Sequence, residues 1–251
     1  MNYENKITEI DKLKAELDTF RPFDDNTLRQ LKEYYRISLT YTSNALEGNT
    51  LTESETKVIL EDGLTIGGHP IREIQETIGH SKAYDLLYNS IKNENITEDN
   101  ILMLHKLFYE QINPLCAGKY RDKKVIITGT TYEPPAPNEI PKLMQQFLAQ
   151  LPKMAKELHP VNLAAWVHLN FVNIHPFIDG NGRTARLLTN LVLLKFGYSV
   201  IIIPPILRSD YIESIKSAQI GNNKEEFTNF ISEMLLESMK DYIRIVKHLK
   251  D

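Results

Sequence analysis

Apolar residues recur every three or four positions along most of this chain, a period that predicts helices. Ile7, Ile10, Leu13 and Leu17 share one face, and the pattern stops before Pro22. Leu28, Leu31, Tyr35 and Leu39 give a second helix, from about 25 to 46, which Gly48 closes. Thr52 and Glu55 form a capping-box pair ahead of Val58, Ile59 and Leu60. Thr97 does similar duty before Ile101, Leu104, His105 and Phe108. Helical spacing resumes at about 140 and fills most of the remainder. One region differs. Lys124, Val125, Ile126, Ile127 and Thr128 form a short β-branched run, Gly129 and Thr130 supply a turn, and Thr131 and Tyr132 offer a return arm. Pro134, Pro135 and Pro137 prevent anything longer. The expected fold class is all-α, mostly helical, with one small β-hairpin.

Composition changes this picture little. With 251 residues, 42% apolar and 25% charged, the chain reads as an ordinary globular protein. A net charge of −4 gives no overall basic balance, so no nucleic-acid partner is expected. The most apolar run, LLTNLVLLKFGYSVIII, is interrupted by Asn190, Lys195 and Gly197, and no membrane span or membrane partner is expected. The first residues, MNYENKITEIDKLKAELD, are polar and amphipathic rather than signal-like. A single cysteine, Cys116, excludes an internal disulfide and suits a reducing compartment. The expectation is a soluble, cytoplasmic protein.

The candidate chemistry is concentrated in HPFIDGNGRTAR, residues 175–186. Leu163, Ala164, Val167, Phe171 and Ile174 predict a buried helix running up to His175, where Pro176 ends it. Gly180 and Gly182 allow a tight turn, and Leu187, Leu188, Leu191 and Leu194 restart a helix. The glycine loop therefore opens onto a helix N-terminus, which favours an anion. Arg183 and Arg186 add planar donors suited to phosphate oxygens. Asp179 is a carboxylate of the kind that, with phosphate oxygens and water, suffices for Mg²⁺. His175 is a candidate general base. A zinc site from His175 and Asp179 is disfavoured, because the loop breaks the helix and no third ligand is near in sequence. His80, His105 and His168 read as core histidines, and Trp166 and the leucines after Arg186 as core. Base, phosphate cradle and metal ligand together suggest transfer of part of a nucleotide to a hydroxyl.

Position for position, this stretch resembles the Fic (filamentation induced by cAMP) motif, HxFx(D/E)GNGRxxR, with no departures at His175, Phe177, Asp179, Gly180, Asn181, Gly182, Arg183 and Arg186. GKYRDKKVIITGTTYEPPAP resembles the segment that forms the family's flap, and LRSDYIESIKSA its nucleotide-site helix, which carries Tyr211. The resemblance implies a Fic fold and AMPylation: AMP passes from ATP to a Ser, Thr or Tyr hydroxyl of a target protein, with Mg²⁺ and release of pyrophosphate. His175 is then the base, Asp179 the metal ligand and Phe177 the loop's anchor. Asn181 and the amides around Gly180 and Gly182 take the α-phosphate, and Arg183 and Arg186 the β- and γ-phosphates. The flap residues Val125, Ile126, Ile127, Thr128, Gly129 and Thr130 are expected to dock the target by strand addition.

A second stretch, Ser43-Asn44-Ala45-Leu46-Glu47-Gly48, resembles the inhibitory motif (S/T)xxxE(G/N) of one Fic subclass. There the glutamate pairs with the motif's last arginine, here Arg186, and denies it to the γ-phosphate. The chain accordingly divides into an N-terminal region with the inhibitory helix (1–60), a Fic core (61–235) and a helical tail (236–251). Another nucleotide donor, removal of AMP, and a non-catalytic nucleotide sensor are the alternatives. Self-modification and homo-oligomerisation stay open.

Overall fold

The structure, a computed structural model, describes residues 3–93 and 95–250. Its long helices are α1 (Ile7–Asp18), α2 (Asp25–Ala45), α4 (Ile71–Ser90), α5 (Glu98–Tyr109), α6 (Ile140–Glu157), α7 (Pro160–Ile174), α8 (Asn181–Lys195), α9 (Arg208–Ile220) and α10 (Lys224–Lys250). A short α3 (Glu53–Lys57) runs into a wide π turn over Val58–Asp62. The centre is the pair α7 and α8, which pack against each other more extensively than any other two elements. Both are buried nearly all round, α7 by apolar residues and α8 by apolar and polar residues together. The loop joining them is the 175–180 stretch, so rigid core helices fix both of its ends.

The predicted helix signals are realised in the backbone. Thr52 and Thr97 both close complete capping boxes, the second with Asn100 in place of an acid. Asp24 caps α2 by accepting from the Thr27 amide. Leu28 does not belong to the buried face of α2: it is 48% exposed, and Thr27, Leu31, Tyr35 and Leu39 form that face. The spacing admitted either set, and packing against α10 and α4 selected one.

The expected hairpin is not formed. Among the described residues there is no β-strand: residues 124–127 have no regular structure, Thr128 and Gly129 turn, and no backbone hydrogen bond joins the two arms. Two arms of this length are marginal by themselves, and Pro134 and Pro135 remove two donors from the second. Each arm is instead tied to the body of the protein. The Tyr132 hydroxyl donates to the Asn173 carbonyl at the end of α7 (2.8 Å). Arg121, only 4% exposed, donates to the carbonyls of Lys123 (2.9 Å), Pro135 (2.7 Å) and His175 (2.8 Å). The segment is thus a loop clasped at its base, with Ile126 projecting into solvent.

Candidate active site

α7 ends at His175 because Pro176 follows, and His175 itself turns left-handed, with φ 49° and ψ 57°. A non-glycine residue with positive φ is uncommon and costs energy that the surrounding structure must supply. The clamp here is visible. The His175 amide donates to the Phe171 carbonyl (3.0 Å), and its own carbonyl takes Arg121. The ring is half-buried with Nδ1 enclosed, which leaves Nε2 as the nitrogen open to the cleft. Burial pushes its pKa down to about 4; the Val172 carbonyl opposes this and the Arg121 charge reinforces it. At neutral pH the ring is uncharged, as a base requires.

The loop behind His175 is held by its own side chains. Phe177 is fully buried and its ring stacks on His105, centroids 3.8 Å apart. Asn181 closes the turn: its Oδ1 accepts from the Phe177 amide and its Nδ2 donates to the Phe177 carbonyl, both at 2.9 Å. His105, expected as a core histidine, is buried and is also the loop's inner support. The Gly118 amide donates to Nδ1 (2.9 Å), so Nε2 carries the proton and donates to the Asp179 carbonyl (3.1 Å). Burial keeps it neutral, with a pKa near 4. Gly180 has φ +79°, and a Cβ there would lie 2.7 Å from the Phe108 ring. Gly182 is different. It lies within α8 with ordinary helical geometry, and a Cβ would come within 2.4 Å of Glu47 Oε1. The second glycine makes room for a carboxylate rather than for a turn.

That carboxylate comes from the end of α2. Glu47 Oε1 lies 2.7 Å from Arg186 Nη2, the same nitrogen that reaches the Ser43 carbonyl at 2.8 Å. Arg186 Nε donates to Ser43 Oγ at 3.0 Å and Nη1 to the Tyr211 hydroxyl at 3.3 Å. Burial works against charge on Glu47, but the Arg186 and Arg183 guanidiniums outweigh it and hold the carboxyl below its usual range. The Arg208 side chain fixes the end of α2 by donating to the Leu46 carbonyl (2.7 Å).

A second charge cluster flanks the first. Arg183, 2% exposed, lies 3.2 Å from Glu76 and 3.9 Å from Asp179, with its guanidinium over the Phe108 ring. Arg72 bridges the same two acids, at 3.2 Å to Glu76 and 3.1 Å to Asp179. Arg72 and Glu76 carried no sequence signal, because they lie on α4, about a hundred positions before the motif. Among the described residues no three His, Cys, Asp or Glu side chains are grouped to hold a metal unaided. Asp179, 45% exposed and beside the α8 N-terminus, suits an ion such as Mg²⁺ that draws its other ligands from phosphate and water.

The cleft in front of these groups has a volume of ≈ 170 Å³ and is lined by Glu47, His175, Gly182 and Arg186, by Ile127 and Thr128 of the clasped loop, and by α9. That is below the roughly 300–1,000 Å³ usual for a bound small molecule. Glu47 takes up part of it. The structure therefore brings together Ser43, Glu47, His175, Asp179, Asn181, Arg183, Arg186 and Tyr211, and sets the turn of the clasped loop over them, whereas Ile126 points away.

Comparison with known proteins bears on what this arrangement is. The sequence model of the Fic/DOC family matches residues 95–193. Fic-1 (residues 134–508) from C. elegans superposes with a TM-score of 0.86 at 30% identity, over 96% of this chain and 72% of that one. The chain belongs to the Fic/DOC family. A Fic-domain-containing signaling protein from Bacteroides thetaiotaomicron also superposes at 0.86, with 29% identity, over 95% of this chain and 97% of that one. Among curated relatives, "Protein adenylyltransferase Fic" of Drosophila willistoni is 35% identical over 242 residues, 96% of this chain and 48% of its own length. This Fic chain thus spans about half the length of the curated relatives it matches. None of its described helices is long and apolar enough to cross a membrane.

Proposed function

We propose that this chain is a protein adenylyltransferase held inactive by its own Glu47. The observation that carries the reading is the single cleft onto which the neutral His175 Nε2, the N-terminal amides of α8 and the Arg186 guanidinium all open. Curated relatives named as protein adenylyltransferases support the same chemistry.

In this mechanism ATP lies along the α8 N-terminus, where backbone amides and the helix dipole favour its phosphates. His175 Nε2 takes the proton from a Ser, Thr or Tyr hydroxyl of the target. The freed oxygen attacks the α-phosphorus in line, the bond to the β-phosphate bridging oxygen breaks, and pyrophosphate leaves. Asn181 keeps the loop in the shape that presents the amides around the α-phosphate as charge builds there. Arg183 and Arg186 hold the β- and γ-phosphates. Mg²⁺, held by Asp179, supplies charge neutralisation to the phosphates when bound. The clasped loop at 123–135 orients an extended target segment near His175, with Val125, Ile126, Ile127, Thr128, Gly129 and Thr130 as its contact edge.

Glu47 opposes this by occupying Arg186 Nη2, the donor needed by the γ-phosphate. An ATP that enters without that contact is misplaced for in-line attack, and misplacement alone costs orders of magnitude in rate. Residues 1–60 are in this reading the regulatory part, 61–235 the catalytic part and 236–251 a structural tail.

The test is mass spectrometry of the protein after incubation with ATP and Mg²⁺, alone and with a cell lysate. Glu47→Gly is expected to add the mass of AMP to itself or to a lysate protein at least tenfold faster than wild type. The double variant Glu47→Gly with His175→Ala is expected to add none. Transfer that survives loss of His175, or a Glu47→Gly protein that modifies nothing, overturns the reading.

A further inference from the structure

Beneath Arg186 lies a chain of buried polar groups. Tyr211 is 2% exposed, and His168 and Thr189 are fully enclosed. The Tyr211 oxygen is 3.3 Å from Arg186 Nη1 and 2.9 Å from His168 Nε2. His168 Nδ1 is 3.0 Å from Thr189 Oγ1, which in turn donates to the Ala185 carbonyl at 2.8 Å.

The donors and acceptors along this chain can be assigned one by one. A threonine hydroxyl has one hydrogen, and here it is committed to Ala185, so Thr189 can only accept from His168. His168 therefore carries its proton on Nδ1. Burial and the nearby Arg186 charge hold the ring neutral, with a pKa near 3, so Nε2 is a bare acceptor. Nε2 takes the Tyr211 hydroxyl hydrogen, and the tyrosine oxygen is left with lone pairs facing Arg186. Burial keeps the phenol protonated, since it raises the Tyr211 pKa. Every link has a single allowed direction, and all of them point the acceptor end at the guanidinium.

The two terminal nitrogens of Arg186 thus have different partners. Nη2 is bound to Glu47 and to the Ser43 carbonyl, at the open side. Nη1 is bound to Tyr211, at the buried side. We infer that Tyr211 and His168 are positioning residues: they hold Nη1 in place so that Nη2 can exchange the Glu47 carboxylate for a terminal phosphate without the guanidinium moving. The inference rests on the functional reading above and adds residues to it. It also gives Tyr211 a role through Arg186 rather than as a direct nucleotide contact.

The test uses calorimetric titration of Glu47→Gly protein with ATP and with ADP, in Mg²⁺. Adding Tyr211→Phe removes only the hydroxyl, and loss of one hydrogen bond to a charged group is expected to weaken ATP about tenfold. ADP, which lacks the γ-phosphate, is expected to change less than about twofold, because the Nη2 that the Tyr211–Nη1 contact steadies serves the terminal phosphate. In the same background His168→Leu cuts the chain one link deeper and is expected to match Tyr211→Phe. His168→Gln supplies an amide oxygen for the tyrosine hydroxyl and is expected to restore ATP affinity, a rescue that a packing role would not give. Unchanged ATP affinity in Tyr211→Phe overturns the inference and leaves the transferase reading standing. An equal loss for ATP and ADP overturns it as well, by assigning Tyr211 to the shape of the pocket. A Glu47→Gly protein that binds no ATP overturns both.

Discussion

At the scale of single residues, the candidate site is built around control of charge. His175 is kept neutral by burial, with its pKa near 4 instead of the ordinary value of about 6.5. A base acts in its deprotonated form, so a depressed pKa extends activity toward acid. In Glu47→Gly protein the transfer rate is expected to stay level as pH falls from 8 to about 5.5, then to drop as pH approaches 4. A rate that halves near pH 6.5, followed by initial velocities across that range, would contradict this placement of the ring. The identities of His175, Asp179, Arg183 and Arg186 were legible in sequence because their spacing is local. Their supports were not. Arg121, Arg72 and Glu76 come from remote segments, and His105 looked like any core histidine. It is one, but its Nε2–H also holds the Asp179 carbonyl.

At the scale of elements, the informative comparison is between α2 and the loop at 123–135. α2 was readable because its period and its terminal glycine agree over twenty-one residues. The loop misled because β-branched residues signal a strand only where a partner strand can pair with them. Here the ties are the buried Arg121 and the Tyr132 hydroxyl. Arg121→Ala would orphan the Lys123, Pro135 and His175 carbonyls together. It is expected to cost about 2–4 kcal/mol of stability in urea unfolding. In the Glu47→Gly background it is also expected to slow transfer to a protein target more than ATP binding weakens, since the loop and His175 share the clamp. A variant as stable as its parent would show that the clasp is dispensable.

At the scale of the whole molecule, fully buried histidines are expected to make folding depend on pH. His80 and His168 are fully enclosed and have pKa values near 3. In the unfolded chain each returns to about 6.5, so below that pH the unfolded state binds more protons. Stability is therefore fully present above about pH 6.5 and falls as pH drops toward 3, at up to roughly 1.4 kcal/mol per pH unit for each histidine. Thermal melts at pH 7 and pH 5 are expected to show a clear drop in Tm, and replacing His80 by Gln is expected to reduce the difference. Equal melting temperatures would mean that these rings gain protons without unfolding.

The sequence by itself determined the helices, the glycine loop between two buried helices, the residue types of the candidate site and the carboxylate that meets them. Each of these is written in spacings of a few residues, where backbone period, caps and motif register act directly. The motif resemblance already implied that Glu47 meets Arg186; only the tertiary structure decided that Glu47 also lies against Gly182, that Arg121 replaces a hairpin with a clasp, and that a tyrosine and a histidine stand behind Arg186. Those contacts join the end of α2 to α8, and α8 to α9 and α7, across separations of up to 139 positions. No local period encodes such pairs. They are set by which faces of the helices are left to meet once α7 and α8 have taken the centre.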